Sequence, residues 1–153
     1  MLASTAVAEM QVRLLAPWDG VKVPDGEQCT LFGGQGSTPG FDITGLPAGT
    51  TQVNVEFNDK SYSPLANDGG HGIIGFSVSG ENATLPPMPG LTTDLPDGVM
   101  VVKAARSTGQ YASPGYLPPC SGGRGNRYTA TIKALSAEGD VLDQVIDMAI
   151  GLY

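Results

Sequence analysis

Strict alternation of apolar and polar residues is the feature that most constrains the fold, and it is clearest at residues 52–57 (QVNVEF). The odd positions of this stretch, Val53, Val55 and Phe57, are apolar, and the even positions are polar. A period of two places the apolar side chains on one face of a β-strand. The pattern therefore predicts a strand that is buried on one side.

Four more stretches are strand-like and are bounded by clusters of Gly, Pro or Asp, as strands commonly are. They are residues 11–15, 73–78, 99–105 and 128–135. The last dozen residues fit a helical period as well as a strand period. Residues 137–140 (AEGD) form a short glycine-bearing turn between two such runs, which is typical of a hairpin. We therefore predict a C-terminal hairpin.

The length and composition indicate one turn-rich domain, which we assign to residues 11–153. A chain of 153 residues with 41% hydrophobic residues can bury one good core but hardly two. Its 22 Gly and 12 Pro concentrate in three stretches between strands, residues 32–49, 84–98 and 113–125. We interpret these stretches as long loops, which are often functional in compact domains.

The charge balance argues against several partners. Eight Lys and Arg against fifteen Asp and Glu give a net charge of -7 without a basic cluster. Nucleic acid and anionic membrane surfaces are therefore not expected as partners. No apolar run approaches the roughly 18 residues of a transmembrane span, so no transmembrane segment is expected either.

The first ten residues (MLASTAVAEM) are interpreted as an N-terminal tail or a leader remnant. They lack the basic start of a secretory signal, whereas Ala6-Val7-Ala8 has the small-x-small pattern of a cleavage site. A trimmed leader and a cloning remnant both fit this composition.

His71 is the only histidine, and it lies in a glycine-rich loop directly before a predicted strand, twelve residues after Asp59. A carboxylate and an imidazole at neighbouring strand ends can together bind an anion or a phosphate ester. The alternative is a surface histidine in a glycine-rich loop. Both interpretations stay open from the residues alone.

Catalytic and metal-binding patterns are absent from the sequence. There is no Gly-x-Ser-x-Gly or Ser-x-x-Lys motif, and one histidine with two cysteines 91 positions apart fits no metal-ligand spacing. Folding can still bring carboxylates together for glycosidase-like chemistry, a signal with almost no specificity. We predict no catalytic residue, no metal and no cofactor.

Residues 118–135 (PPCSGGRGNRYTATIKAL) combine a stiff start, a glycine-rich loop and an alternating strand. Loops that a scaffold holds in place commonly carry binding residues. This stretch therefore fits one wall of a ligand site, and a simple turn is the alternative.

An ordered series of motifs resembles the phosphatidylethanolamine-binding protein family, in particular its bacterial Raf-kinase-inhibitor-like branch. Residues 38–50 (TPGFDITGLPAGT) resemble the family's Ser-Pro-Pro-Leu-x-Trp-x-Gly-Val-Pro-x-Gly-Thr segment, and the same register places Asp59 on the first aspartate of its Asp-Pro-Asp-x-Pro motif. Residues 71–76 (HGIIGF) resemble its His-Trp-x-x-x-Asn strand, and residues 95–99 (LPDGV) its Leu-Pro-x-Gly turn.

The loop before the last predicted hairpin adds to this resemblance. Residues 116–120 (YLPPC) and 125–128 (GNRY) are similar to the family's Tyr-x-Gly-Pro-Cys-Pro-Pro-x-Gly-x-His-Arg-Tyr signature, with Pro119 and Cys120 in register. The resemblance covers about residues 11–135 and implies a mainly β fold with little helix. It implies a large antiparallel Greek-key sheet, a second smaller sheet and a shallow pocket at one end.

The resemblance also implies a function, that of a non-enzymatic binding protein with a small pocket for anionic or phosphate-bearing head groups. Asp59 would accept hydrogen bonds from the ligand and from His71, while His71 would face the anion. Tyr116 and Pro119 would line the wall, and Asn126 would take the place of a second pocket histidine. The implied ligand-binding residues are Asp59, His71, Tyr116, Pro119 and Asn126.

Departures from the family pattern leave other functions open. Asn126 is neutral where the family has a histidine, and Lys60-Ser61 replaces the Pro-Asp of the acidic motif, so anion affinity is expected to be lower. One alternative is a protein-interaction or inhibitor module, directed at a kinase or a protease, that uses the pocket-end loops. A remote alternative is a weak hydrolase that uses Asp59 and His71.

The two cysteines bear on location. By the resemblance, the loops of Cys29 and Cys120 border the same end of the sheet, which makes a disulfide reasonable. Together with the leader-like start, a disulfide favours a periplasmic or secreted protein. A cytoplasmic protein with two thiols is the alternative. The resemblance also allows a homodimer, because bacterial members commonly form dimers, although no residue pattern identifies an interface.

Overall fold

Eight β-strands form two antiparallel sheets in the computed structural model, which describes residues 9–153. The smaller sheet has the order β1-β2-β5 and consists of β1 (Gln11–Leu14), β2 (Phe41–Thr44) and β5 (Ala83–Leu85). The larger sheet has the order β6-β4-β3-β7-β8 and consists of β3 (Thr50–Asp59), β4 (Ile73–Ser77), β6 (Val99–Lys103), β7 (Arg127–Ser136) and β8 (Val141–Leu152).

Helix is limited to single 3-10 turns in the part of the chain that is described. They are Thr30–Phe32, Ser63–Leu65 and Gly109–Tyr111. None of the helices within residues 9–153 is long and apolar enough to cross a bilayer. The predicted mainly β fold with two sheets and little helix is confirmed.

The larger sheet has a Greek-key order. Strands β3, β4 and β6 are neighbours in that sequence, and β7 then returns to pair with the free side of β3. This return connection brings the start of β7 against the end of β3, where Asp59 is paired with Tyr128. Two segments that are far apart in sequence therefore meet at one end of the sheet.

The strands predicted from alternation are present as β1, β3, β4, β6 and β7, with bounds that differ by a few residues. The C-terminal hairpin is also confirmed, with β7 and β8 as its arms. In its turn the Ser136 amide donates to the Asp140 carbonyl (2.9 Å), and Gly139 has a φ of 87°. A positive φ is readily adopted by glycine, which explains the glycine at this turn.

Strands β2 and β5 lie in or overlap stretches that we predicted as loops, residues 32–49 and 84–98, so these loop assignments are wrong in part. The two strands have four and three residues and pair with each other, with Phe41 opposite Leu85. Segments this short contain too few residues to show an alternation of apolar and polar residues. Burial of Phe41, Ile43 and Leu85 against the larger sheet supports the strands instead.

The core lies between the two sheets. Strand β3 contributes Val53 and Val55, which are fully buried, and the smaller sheet contributes Phe41 and Ile43. Burial of a large aliphatic or aromatic side chain stabilises a fold by about 1.5–3 kcal/mol. These inward faces therefore hold the sheets together and fix the register of β3.

Residues 1–8 of the predicted tail lie outside the described residues. Met10, the last residue of that tail, is buried, and its amide donates to the Asp143 carboxylate (3.1 Å). It is packed against the rest of the fold, immediately before β1.

Cys29 and Cys120 form a disulfide, as predicted, with their Cα atoms 5.2 Å apart. The bond is buried beside Leu117 and joins the loop that contains the 3-10 turn Thr30–Phe32 to the loop before β7. The Cys29 amide also donates to the Pro119 carbonyl (2.9 Å). Two loops at the same end of the molecule are thus linked covalently and by a backbone hydrogen bond.

We expect the double variant Cys29→Ser/Cys120→Ser to lose about 2–4 kcal/mol of free energy of unfolding, because a long cross-linked loop restricts the unfolded chain. Urea unfolding of the variant and of the parent protein measures this difference. The parent protein in the presence of reductant is the matched control and should unfold like the variant. Equal unfolding midpoints for oxidised parent and variant would contradict the prediction.

Candidate functional site

A pocket of about 470 Å³ lies at the end of the larger sheet where β3 ends and β4 and β7 begin. Asp59, the last residue of β3, lines it together with His71, which lies two residues before β4, and Asn126, the residue before β7. Three of the five predicted ligand-binding residues are therefore brought together. They come from segments that adjoin neighbouring strands.

His71 is held rigidly at the base of this pocket and is only 3% exposed. Its backbone amide donates to the Phe57 carbonyl (2.9 Å), and its carbonyl accepts from the Leu117 amide (2.9 Å). The ring Nδ1 lies 2.7 Å from the carbonyl oxygen of Leu117. Because a carbonyl oxygen can only accept, Nδ1 carries the proton.

The glycines beside His71 are explained by close packing. A side chain at Gly70 would overlap the backbone of Leu65, and Gly72 has a φ of 109°. The buried Asn58 side chain accepts hydrogen bonds from the amides of Gly69 (2.9 Å) and Gly70 (3.1 Å). This loop is therefore a tightly packed support for the imidazole, and His71 is buried rather than the surface histidine of the alternative interpretation.

Asp59 is 4% exposed and is held by two hydrogen bonds. One carboxylate oxygen accepts from the Ser61 amide (2.9 Å), and the other accepts from the side-chain amide of Asn126 (2.8 Å). The expected hydrogen bond from His71 to Asp59 is replaced, because Nδ1 of His71 is bound to Leu117. The side-chain amide of Asn126 thus orients Asp59.

The electrostatics favour a neutral imidazole. Burial lowers the pKa of His71 below its ordinary value of 6.5, and the hydrogen bond to Leu117 and the charge of Asp59 oppose that change. Burial also raises the pKa of the Tyr128 phenol, and the negative charge of Asp59 adds to the rise. At neutral pH a neutral histidine and a neutral tyrosine therefore lie beside Asp59 at the pocket base.

Tyr116 and Pro119 are placed behind the pocket, and neither lines it. Tyr116 is fully buried, its ring centroid is 4.7 Å from that of Phe57, and its hydroxyl has no partner among the described residues. Pro119 is buried, and its carbonyl accepts from Cys29. Both residues belong to the segment that leads into Cys120, and Cys120 lines the pocket.

The loop between Cys120 and Asn126 is held by Tyr153, the residue that follows β8. The backbones of Asn126 and Tyr153 exchange two hydrogen bonds, with distances of 2.8 and 3.0 Å. The Ser121 hydroxyl also donates to the Tyr153 carbonyl (2.6 Å). These bonds fix the position from which Asn126 reaches Asp59.

Two arginines line the pocket and were missed by the sequence interpretation. The Arg106 guanidinium donates to backbone carbonyls of the loop after β3, including that of Asn67 (2.6 Å) and that of Asp68 (3.0 Å). Arg124 is exposed and has no hydrogen-bond or ion-pair partner within residues 9–153. Arg124 lies in the glycine-rich part of residues 118–135, the stretch that fits one wall of a ligand site. That interpretation of the stretch was the sequence signal available for this residue.

Lys60, the residue after Asp59, is directed away from this site. Its ammonium pairs with Asp147 (3.3 Å) and donates to the Ala66 carbonyl (2.8 Å). Lys60 does not line the pocket. The cations of the pocket lining are therefore Arg106 and Arg124.

Three exposed aromatic side chains from three separate loops also line the pocket. Phe32 is 41% exposed, Tyr62 is 52% exposed and Tyr111 is 36% exposed. No sequence signal predicts this set, since only the folded chain brings the loops together. Among the described residues, no group of three or more His, Cys, Asp or Glu side chains is arranged to hold a metal ion.

Comparison with solved structures identifies the fold. The crystal structure of Escherichia coli YbcL, described as a new member of the mammalian PEBP family, matches with a TM-score of 0.54 and 24% sequence identity. The match covers 89% of this chain and 82% of the YbcL chain. No protein-family model and no curated protein matches the sequence. The chain therefore has the fold of phosphatidylethanolamine-binding proteins, and the fold implied by the resemblance is confirmed.

We expect the His71 ring to titrate below 6.5, since burial lowers its pKa. The unfolded chain then takes up this proton at a higher pH than the folded chain, so stability decreases as pH falls below about 6.5. NMR titration of the ring measures the pKa directly, because the chain has one histidine. Urea unfolding of His71→Gln, as the control, should show a smaller loss of stability between about pH 7 and pH 5. A ring pKa above 6.5 would contradict this account.

Proposed function

We propose that this protein is a non-enzymatic binding protein whose pocket takes a small anionic or phosphate-bearing group. The observation that carries the proposal is the free guanidinium of Arg124, which lines the pocket without a partner among the described residues. A guanidinium is well suited to bind carboxylate or phosphate oxygens through two parallel hydrogen bonds. The fold and the motif resemblance support the same ligand class.

The anion site differs from the one that the resemblance implies. His71 is neutral at the base of the pocket, and Asn126 donates its amide to Asp59, so neither supplies a positive charge. The positive charge comes from Arg124 and from the part of Arg106 that is not bound to carbonyls. We therefore assign the anion to the arginine side of the pocket rather than to its base.

We propose binding without catalysis. The remote hydrolase alternative requires Asp59 to orient and activate His71 as a base. Nδ1 of His71 is instead bound to the carbonyl of Leu117, and Asp59 is bound to Ser61 and Asn126. The two side chains lie in one pocket but do not form the hydrogen-bonded pair that this mechanism needs.

A protein-interaction or inhibitor role is the second candidate, and the exposed aromatic residues of the pocket favour it. Phe32, Tyr62 and Tyr111 present apolar area around one opening, and aromatic residues are enriched in the centres of protein interfaces. A kinase or a protease would be contacted through these loops. This role predicts that the three aromatic residues matter more for binding than Arg124 does.

We further propose a periplasmic or secreted location, as for an exported bacterial protein. The Cys29 to Cys120 disulfide supports this location, because such bonds persist in oxidising compartments. A cytoplasmic protein with two reduced cysteines is the alternative. A homodimer stays a prediction from the resemblance, and native mass spectrometry tests it.

Inorganic phosphate is expected to bind this pocket and to raise the pKa of His71, because a nearby anion favours the charged imidazole. The variant Arg124→Ala should bind phosphate roughly fivefold more weakly, since an exposed charge pair contributes up to about 1 kcal/mol. NMR titration at constant ionic strength measures both effects.

The matched control for this experiment is Arg13→Ala. Arg13 is an exposed arginine of β1 that pairs with Asp42 and does not line this pocket, so phosphate binding should be unchanged. Equal losses in both variants would indicate a general charge effect and would refute the proposed site.

A further inference from the structure

Strand β6 is an edge of the larger sheet, and one of its sides is open. It pairs with β4 alone. Its residues 99–103 (VMVVK) contain no proline, and the side chains of Met100 and Val102 are 47% and 44% exposed. The register against β4 shifts at Val102, after the regular segment 99–101. An exposed apolar edge pairs readily with another strand, so proteins usually block it with charges, proline, bulges or a covering loop.

The opposite edge of the same sheet, β8, is blocked in this way. The Val23 amide donates to the Leu152 carbonyl (2.9 Å), and the Leu152 amide donates to the Val21 carbonyl (3.1 Å). The Met10 amide donates to the carboxylate of Asp143 (3.1 Å). The pairing of β8 with β7 also shifts register at three places, and such bulges twist an edge away from further pairing. The open edge of the larger sheet is therefore β6.

Backbone groups of β6 are left to pair on the open side. The Gly98 carbonyl accepts from the Ser77 amide of β4 (2.7 Å). Alternate residues of a strand direct their backbone groups to the same side, so those of Met100 also point to β4. The carbonyl of Val99 and both backbone groups of Val101 therefore point to the open side. None of these groups has a backbone partner within residues 9–153.

The two ends of β6 carry opposite charges. Asp97 precedes the strand and Lys103 ends it, and both side chains are exposed. Neither side chain forms an ion pair in the part of the chain that the structure describes. The Lys103 ammonium donates to the Asp68 carbonyl (3.3 Å). When two such strands pair antiparallel, the acidic end of each meets the basic end of the other. The edge is thus complementary in charge to a second copy of itself.

We propose that β6 pairs antiparallel with β6 of a second copy of this chain, about a two-fold axis at Met100. In this register the Val101 amide of each copy donates to the Val99 carbonyl of the other copy. The groups that point to the open side are then paired. The two five-stranded sheets join into one sheet of ten strands.

The side chains fit the same register. The two copies of Met100 lie opposite each other on the outer face of the joined sheet. Val102 lies opposite Gly98 of the second copy, and the space around the Gly98 α-carbon is open. Asp97 of each copy comes beside Lys103 of the other. Apolar contacts at the centre and charge pairs at both ends therefore support the pairing.

This interface leaves the pocket open. Among the described residues, those that line the pocket include none from β6. Because the two copies are antiparallel, their pockets lie at opposite ends of the joined sheet. The inference therefore stands on the edge of β6 and does not depend on the proposed ligand class or on the resemblance.

A single introduced cysteine tests the register. Residues opposite each other in a non-hydrogen-bonded antiparallel pair have Cα atoms about 4.5 Å apart, which a disulfide can bridge. Both natural cysteines are already bonded to each other, so Met100→Cys supplies one free thiol. Mild oxidation of the whole protein should convert this variant into a covalent dimer on a non-reducing gel. The control is Ile146→Cys, whose position in β8 is 64% exposed, and it should stay largely monomeric.

Charge reversal tests the pairing of the strand ends. Sedimentation equilibrium at low ionic strength should show a dimer of the parent protein. Lys103→Glu should weaken the dimer roughly fivefold or more, because both end pairs become repulsive. The double variant Asp97→Lys/Lys103→Glu should restore the Kd of the parent. Lys22→Glu is the control, since Lys22 is exposed, lies beside β8 and changes the net charge equally.

The outcomes decide the inference in either direction. Cross-linking at residue 100 but not at residue 146, together with restored association in the double variant, supports the interface. A parent protein that is monomeric at every concentration refutes it. Equal cross-linking of both cysteine variants, or a dimer that Lys103→Glu and Lys22→Glu weaken equally, refutes it as well. Phosphate binding to the pocket is measured separately, so its failure would refute the proposed function and leave this interface standing.

Discussion

The hydrogen bond between Nδ1 of His71 and the Leu117 carbonyl determines the chemistry of the pocket. It fixes the tautomer of the imidazole, and so it decides that an acceptor rather than a donor faces the pocket. It also joins the loop before β4 to the loop before β7, together with the backbone bond from Leu117 to His71. The same two bonds therefore set both the position of the pocket wall and the character of its base.

Several constraints that act on the backbone keep this bond in place. The glycines on either side of His71 allow the chain to pass directly over Leu65 and Gly115, and the Asn58 side chain accepts hydrogen bonds from the buried amides of that loop. The disulfide fixes the opposite loop at Cys120. The polar groups of the pocket are thus positioned by covalent and backbone interactions, and little depends on flexible side chains. Such preorganisation lowers the entropic cost of binding a small ligand.

Much of the fold was accessible from the sequence because apolar and polar residues alternate along β3 and β7, as at Val53 and Val55. Strands β2 and β5 were missed because four and three residues are too few to show a period, and tertiary burial forms them. Motif order placed Asp59, His71 and Asn126 in one pocket. Contacts between distant loops determine the remaining features, and no local sequence pattern encodes such contacts. These features are the burial of Tyr116, the tautomer of His71 and the exposure of Arg124.

The return of β7 to the side of β3 has a consequence for the order of folding. Asp59 pairs with Tyr128, and the disulfide joins residues separated by 91 positions, so the pocket depends on contacts between distant parts of the chain. Non-local pairing requires closure of long loops before any contact stabilises them, which makes β-rich folds of this kind slow to form. The pocket can assemble only after β7 has docked, so a nascent chain lacks it until most of the sheet is complete.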